Sequence, residues 1–296
     1  MKPARTILDP AIDSIPRMPA WVTLQSAQST EDVAFLSGAG LSHLHSVLAS
    51  AAVPRGLLHA RLALRAAEAG MAIFGRPERA ADLRDAVHLL RSGDQPGPAG
   101  EVYQMWDKAA GQPVSVSGLG DALPMHEPAQ IGAWLDAGQG GPVVRAASVI
   151  ETVLTQAPRA ETAALILADA ALSQVLGWRD LVPLLGFGLK PGDLRKTGDD
   201  LRVACHKAIV SSSGVAVKLA SDLTRRAGRL NAVAPKLRAK GSDAAVEMFL
   251  TRDAVAPARL TSLRSDRAAR RLCDRLVELG VVRELTGRDT FRLYGV

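Results

Sequence analysis

The chain has 296 residues, 47% of them hydrophobic and only 4% aromatic, and it carries a net charge of +6. That composition excludes wholesale disorder and, with Ala and Leu abundant, favours helices over sheets. Two cysteines, Cys205 and Cys273, are too few for a disulfide framework.

The charge is placed unevenly. From Ser221 to Val296, 16 Arg and Lys face 9 Asp and Glu, a net +7, which leaves −1 on the preceding 220 residues. Arg is abundant throughout, with only 8 Lys among the 36 basic residues, so the asymmetry carries more weight than the abundance of Arg. A positive excess confined to the last quarter is what a polyanion-binding module requires.

Residues 1–30 contain Pro3, Pro10, Pro16 and Pro19 with little periodicity and read as an irregular lead-in. The opening MKPARTILDP lacks the apolar core of a secretory signal, so a cytoplasmic location is expected. A helical body follows over 31–240. Helical patterning runs from Glu31 to about Leu90, with Leu58, Leu62, Leu64, Ala66 and Met71 on an apolar side. RSGDQPGPAG (Arg91 to Gly100) is a loop, Glu101 to Ala110 a helix, and the Gly-, Ser- and Pro-containing stretch to about His126 irregular. DAGQGGPVV (Asp136 to Val144) is a second break. Beyond it helices are expected near Val144–Gln156, Glu161–Leu176, Asp193–Ser211 and Val215–Leu230, with no fixed repeat among them. The most apolar of these, TAALILADAALSQVLGW, is interrupted by Asp169 and followed by Arg179 and Asp180, so no membrane span is expected.

The basic connection RAGRLNAVAPKLRAKGSD (Arg226 to Asp243) predicts a boundary near residue 240. In 241–296 the parts of a winged helix occur in order. SDAAVEMFLTRD gives a first helix with Ala245, Val246, Phe249 and Leu250 apolar, and APARLTSL a short second helix with Pro257 in its first turn. Ser265 caps a third helix, Asp266 to Leu279, which Gly280 ends. On that third helix Ala269, Leu272, Cys273, Leu276 and Leu279 form one stripe, and Arg267, Arg270, Arg271 and Arg275 lie beside and opposite it. After Gly280 the period changes to two: VVREL and TFRLY flank Thr286-Gly287-Arg288-Asp289, with Phe291 and Leu293 alternating against Arg292 and Tyr294. The expected DNA contacts are Arg264, Arg267, Arg270, Arg271 and Arg275 from the helix, and Arg288 and Arg292 from the wing.

This tail resembles the winged helix of bacterial Fic-type proteins, whose wing commonly reads Leu-Arg-Glu-Ile-Thr-Gly-Arg; here it is Val282-Arg283-Glu284-Leu285-Thr286-Gly287-Arg288. The body looks like a degenerate Fic-type fold. In APRAETAALILADAAL, Ala157 stands where that family has its catalytic His, Pro158 matches, Arg159 replaces Phe, and the Gly-Asn-Gly-Arg loop is missing. In GMAIFG, Gly70 and Phe74 replace the regulatory Ser and Glu, and Gly75 is retained. Without the imidazole there is no general base, and without the Gly-rich turn no phosphate nest, so the resemblance implies no catalytic residue and no cofactor. Over most of its length the chain also resembles the uncharacterised, often plasmid-borne bacterial proteins grouped as the domain of unknown function 1403 family. RPERAADLRDAVHLLR, GDQPGPAGE, LRVACHKAIV, VAPKLRAKG and RELTGRDTFRLYGV carry that resemblance.

Other candidate chemistry has simpler explanations. His43 and His45, two apart on a helix, point about 200° apart and do not share an ion. SGAGLSH (Ser37 to His43) has too few glycines and no preceding strand for a nucleotide fingerprint. Cys205 and Cys273 are expected to fill core volume, and Asp199-Asp200 to sit at a helix start. The fold expected is mainly α, a helical body with a C-terminal winged helix carrying a small hairpin. The function expected is non-enzymatic binding of double-stranded DNA in regulation or plasmid maintenance. The alternatives are a scaffold whose winged helix mediates dimer or partner contacts and, more remotely, a Fic-like nucleotidyl transferase.

Overall fold

The structure, a computed structural model, describes residues 15–23, 29–91 and 93–296. Most of the expected lead-in lies outside the described residues; within it, Ala20–Thr23 forms a single helical turn, α1. The body contains α2 (Thr30–Ala49), α3 (Arg55–Ile73), α4 (Ala80–His88), α5 (Gly97–Ala110), α6 (Val116–Ala122), α7 (Pro128–Leu135), α8 (Pro142–Gln156), α9 (Glu161–Val175), α10 (Leu185–Gly188) and α11 (Gly198–Val233). The tail adds α12 (Ser242–Thr251), α13 (Asp266–Glu278) and the strands β1 (Arg283–Glu284) and β2 (Tyr294–Gly295). The protein is mainly α, as expected, and its one β ladder among the described residues pairs β1 with β2 antiparallel.

Two helices occupy the middle. Every residue from Thr162 to Ser173 of α9 is buried, because Ala and Leu dominate that run and α8, α10, α7 and α5 surround it. Two of its polar residues, Asp169 and Ser173, are bonded to backbone groups. Asp169 accepts the backbone N–H groups of Leu185 at 2.8 Å and Gly186 at 2.9 Å, and Ser173 Oγ accepts that of Val182 at 3.2 Å. The two side chains thereby tie the 182–186 segment to α9. Burial pushes the Asp169 carboxyl up to about 7, against the pull of the N–H donors.

The second central helix, α11, corrects the expectation of two helices meeting at Ser211–Gly214. It runs unbroken for 36 residues, and Asp193–Arg195 is a separate 3-10 turn. The small residues do not end it because their smallness is used in packing. Ser212 and Ser213 are buried and donate back to the carbonyls of Ile209 and Val210, so their hydroxyls do not compete with the helix. Across the contact, a Cβ on Gly40 of α2 would lie 2.5 Å from Ser213 Oγ, so α2 and α11 approach at a spacing that glycine permits.

The stretch expected to be irregular up to His126 contains α6, started by Ser115 accepting Gly118 N–H at 3.1 Å. A further helix, α7, starts with Pro128 in its first turn. Short amphipathic helices with Gly inside them lack the periodic signal of longer ones.

In the tail, α12 and α13 form as expected, Ser265 caps α13, and Gly280 adopts φ 68 beyond its end. Two details differ. The second helix is only a 3-10 turn, Pro257–Arg259, and Val255 just before it pairs with Tyr294. The alternation expected in TFRLY also fails: Leu293, Tyr294 and Val296 are all buried, while Phe291 is exposed with φ 54. The segment is hydrogen-bonded along both edges, by β1 and by Val255, so it is an inner strand and not one arm of a free hairpin.

The tail is tied to the body by charge. Asp253, 3% exposed, receives Arg84 of α4 through two hydrogen bonds, at 2.6 and 3.1 Å, and Arg61 Nε of α3 lies 2.9 Å away, off the hydrogen-bonding direction. Arg61 Nη2 also donates to the carbonyl of Val296 at 3.0 Å. Burial lowers the Arg61 pKa, and Asp253 opposes that shift.

Removing one member of a buried charge cluster leaves the others uncompensated. Asp253→Ala is expected to cost about 3–5 kcal/mol in urea unfolding, whereas Asp222→Ala, which breaks a largely exposed pair with Arg225, costs about 1 kcal/mol or less. Asp169 gives a pH prediction. Between about pH 4 and 7 the native carboxyl holds a proton that the unfolded chain has released, so its contribution to stability falls as pH rises through that window and levels off above about 7. Asp169→Asn is expected to remove that slope, measured as the wild-type-minus-variant difference in unfolding free energy at pH 4.5 to 8, with buffers spanning roughly that window.

Candidate nucleic-acid interface

The hydrophobic stripe of α13 decides which of its arginines face outward. Ala269, Leu272, Cys273 and Leu276 are buried, whereas Leu279, expected in the same stripe, lies past the helix end and is exposed; Arg267, Arg270, Arg271 and Arg275 stand on the exposed surface. Cys273 is core, as is Cys205, and burial raises both thiols to about 12. Neither is a thiolate nucleophile at neutral pH.

Charge is graded along the helix. Arg267, Arg270 and Arg271 lie in its first two turns, where the helix dipole is positive, and Asp274 and Glu278 lie in the last two. Arg270 is 4.0 Å from Asp266, and Arg275 bonds Glu278 at 3.0 Å; both pairs are well exposed. Arg264, Arg267 and Arg271 have no carboxylate partner among the described residues. Exposed pairs such as Arg275–Glu278 exchange readily for a phosphate, because each is held by little energy.

The wing arginines are placed differently. Arg288 is ion-paired with Asp85 of α4, and Arg292 Nε donates to the Arg288 carbonyl at 2.8 Å while its Nη2 lies 3.7 Å from Asp289. Glu284 accepts the N–H groups of Thr286 at 2.7 Å and Gly287 at 2.8 Å, which holds the turn. The structure therefore groups Arg264, Arg267, Arg270, Arg271 and Arg275 on one helix and its entry, and turns Arg288 and Arg292 toward the hairpin and α4.

Two further cations join the helix group. Lys236 and Arg238, in the connection after α11, line one groove with Arg271 and Arg275; its volume is about 430 Å³ and no acidic residue lines it. Val233, Leu237, Ala268 and Leu272 form its apolar floor. The sequence shows the basic connection but not its position against α13, because the chain returns through α12 and the 3-10 turn between them. Gly241 permits that return: its φ is 89, and a Cβ there would lie 2.1 Å from the Ser262 carbonyl oxygen.

The other histidine candidates are structural. His43 Nε2 lies 3.0 Å from the Pro16 carbonyl, and His45 Nδ1 accepts the Trp178 indole N–H at 2.9 Å. His206 Nδ1 lies 2.6 Å from Ser37 Oγ, joining α11 to α2.

The model of the family described as protein of unknown function (DUF1403) matches residues 8–296, nearly the whole chain. The chain belongs to that family. No curated protein matches it.

Because Arg288 is engaged by the body, the wing tip of this DUF1403 protein is held against α4. Asp85→Ala is expected to change global stability by no more than about 1 kcal/mol, since the pair is partly exposed. It should increase amide hydrogen exchange in residues 286–292 while leaving α13 unchanged.

Proposed function

We propose that this protein binds double-stranded DNA without catalysing a reaction, as a regulator or in plasmid maintenance, and that α13 with the 236–238 connection forms the contact surface. The observation that carries the reading is the outward cation group on the first two turns of α13, in which Arg267 and Arg271 have no carboxylate partner among the described residues, set beside a groove that Lys236, Arg238 and Arg275 also line and no acidic residue lines. N-terminal residues of a recognition helix are those that reach base edges in a major groove, and flanking Lys and Arg supply phosphate contacts. Arg264, Arg267, Arg270 and Arg271 fill the first role; Arg275, Lys236 and Arg238 fill the second. Arg288 and Arg292 contribute only after their present contacts exchange. The likeness of body and tail to Fic-type proteins adds no general base, since Ala157 offers only a methyl group.

A second reading, contact with a protein partner or a second copy through the same surface, is favoured by the apolar floor of the groove and by the exposure of Val277 and Leu279 on α13.

Fluorescence anisotropy with a labelled duplex, titrated across NaCl concentrations, separates the two. DNA binding predicts affinity that falls steeply with salt, with a slope that Arg275→Ala lowers by about 1, and the double variant Arg267→Ala with Arg271→Ala is expected to weaken binding by about tenfold or more and to relax sequence preference. Unchanged affinity in that variant removes α13 from the interface. A sharp dimer in light scattering, with no duplex retained at about 50 mM salt, supports the second reading instead.

A further inference from the structure

A cavity of about 380 Å³ opens where α3, α5 and the start of α9 meet the 123–126 segment. Its wall is apolar: Met71, Val102, Met105 and Leu123 line it, and Phe74 and Met125, 43% and 81% exposed, stand at its mouth. That volume is in the range of small-molecule sites, and the three methionines give a wall that adapts to an apolar shape.

Thr162 and Arg159 bring donors to the cavity at the start of α9, while Arg76, Glu101 and His126 also line it. α9 is 15 residues long, and no side chain caps it, so the N–H groups of its first turn lack a cap. Thr162, in that turn, is nine-tenths buried, lines the cavity, and its hydroxyl has no hydrogen-bond partner among the described residues. Arg159, just before the helix, also lines the cavity, is exposed and has no carboxylate partner among the described residues. Arg76 lies at the cavity too, but it is already paired with Glu78. Glu101, on the α5 wall, disfavours an anion on its own side and so orients a charged ligand toward α9.

The geometry points to a binding site for a small carboxylate with an apolar body: the carboxylate accepts hydrogen bonds from the α9 N-terminus and Thr162 beside Arg159, and the hydrocarbon part fills the methionine-lined wall. The Thr162 hydroxyl and the uncapped helix N–H groups are satisfied together by one anion, which the helix dipole favours and Glu161 in the same turn opposes. The site shares no residue with α13 or the basic groove, so it stands or falls separately from DNA binding.

Isothermal titration of the full chain with sodium octanoate, with octanol as the uncharged control, tests this. Octanoate is expected to bind saturably at one site per chain, and octanol at least about tenfold more weakly, since the interaction lost is a charge-assisted hydrogen bond. Thr162→Val and Arg159→Ala are each expected to weaken octanoate by about five- to tenfold and leave octanol unchanged. Melting of the free variants reports their folding, and Arg159, being exposed, keeps the test open if the Thr162 variant does not fold. Absence of saturable octanoate binding, equal affinity for octanoate and octanol, or octanoate affinity unchanged in both variants overturns the assignment.

Discussion

The carboxylate of Asp253 sits buried between two arginines of the body, Arg61 and Arg84, and the arrangement of the last 45 residues depends on it. It lies just after α12, where the chain turns back toward α13. Further contacts tie the tail to the body: Val296 receives Arg61, Arg288 meets Asp85, and α12 packs on α3. A buried carboxylate requires cationic partners with correct geometry, so the cluster specifies one docking position for the tail, which a greasy contact of similar area would not do. The direction in which α13 presents its arginines follows from that position.

The body obeys a different rule. Its two central helices are built from small residues, which permit close approach, and the polar side chains among them are spent on backbone groups. Asp169 and Ser173 hold the 182–186 segment, and Ser212 and Ser213 bond their own helix. Such groups resemble catalytic residues in a sequence because they are buried and titratable. Burial raises the Asp169 carboxyl to about 7, yet both of its oxygens accept backbone N–H groups and it lines neither the cavity at the start of α9 nor the basic groove. Its role is to position chain.

Within the candidate interface, helix pattern and surroundings were legible to different degrees. The stripe Ala269, Leu272, Cys273 and Leu276 is a local consequence of 3.6-residue periodicity, so the outward side of α13 could be read directly. The fate of Arg288 could not, because Asp85 is 203 residues away and no local pattern marks the pair. The groove that adds Lys236 and Arg238 was likewise hidden, although the basic connection itself is plain in the sequence. In the hairpin, alternation failed as a guide because a third segment, at Val255, pairs along the edge that a two-stranded ribbon leaves open and makes β2 an inner strand.

The sequence by itself determined the mainly helical class, the positions of α8, α9, α12 and α13, the end of α5 but not its start at Gly97 within the expected loop, the cap at Ser265, and the concentration of positive charge in the last quarter. These are set by periodicity, capping chemistry and composition, all of which act over a few residues. Only the tertiary structure decided that α11 is continuous through Ser211–Gly214, that the second helix of the tail shrinks to a turn, and that the wing arginines face the body. Each of those outcomes rests on a partner distant in sequence: Gly40 opposite Ser213, Tyr294 beside Val255, Asp85 beneath Arg288. Local propensity is worth tenths of a kcal/mol per residue, and packing or pairing with such a partner outweighs it.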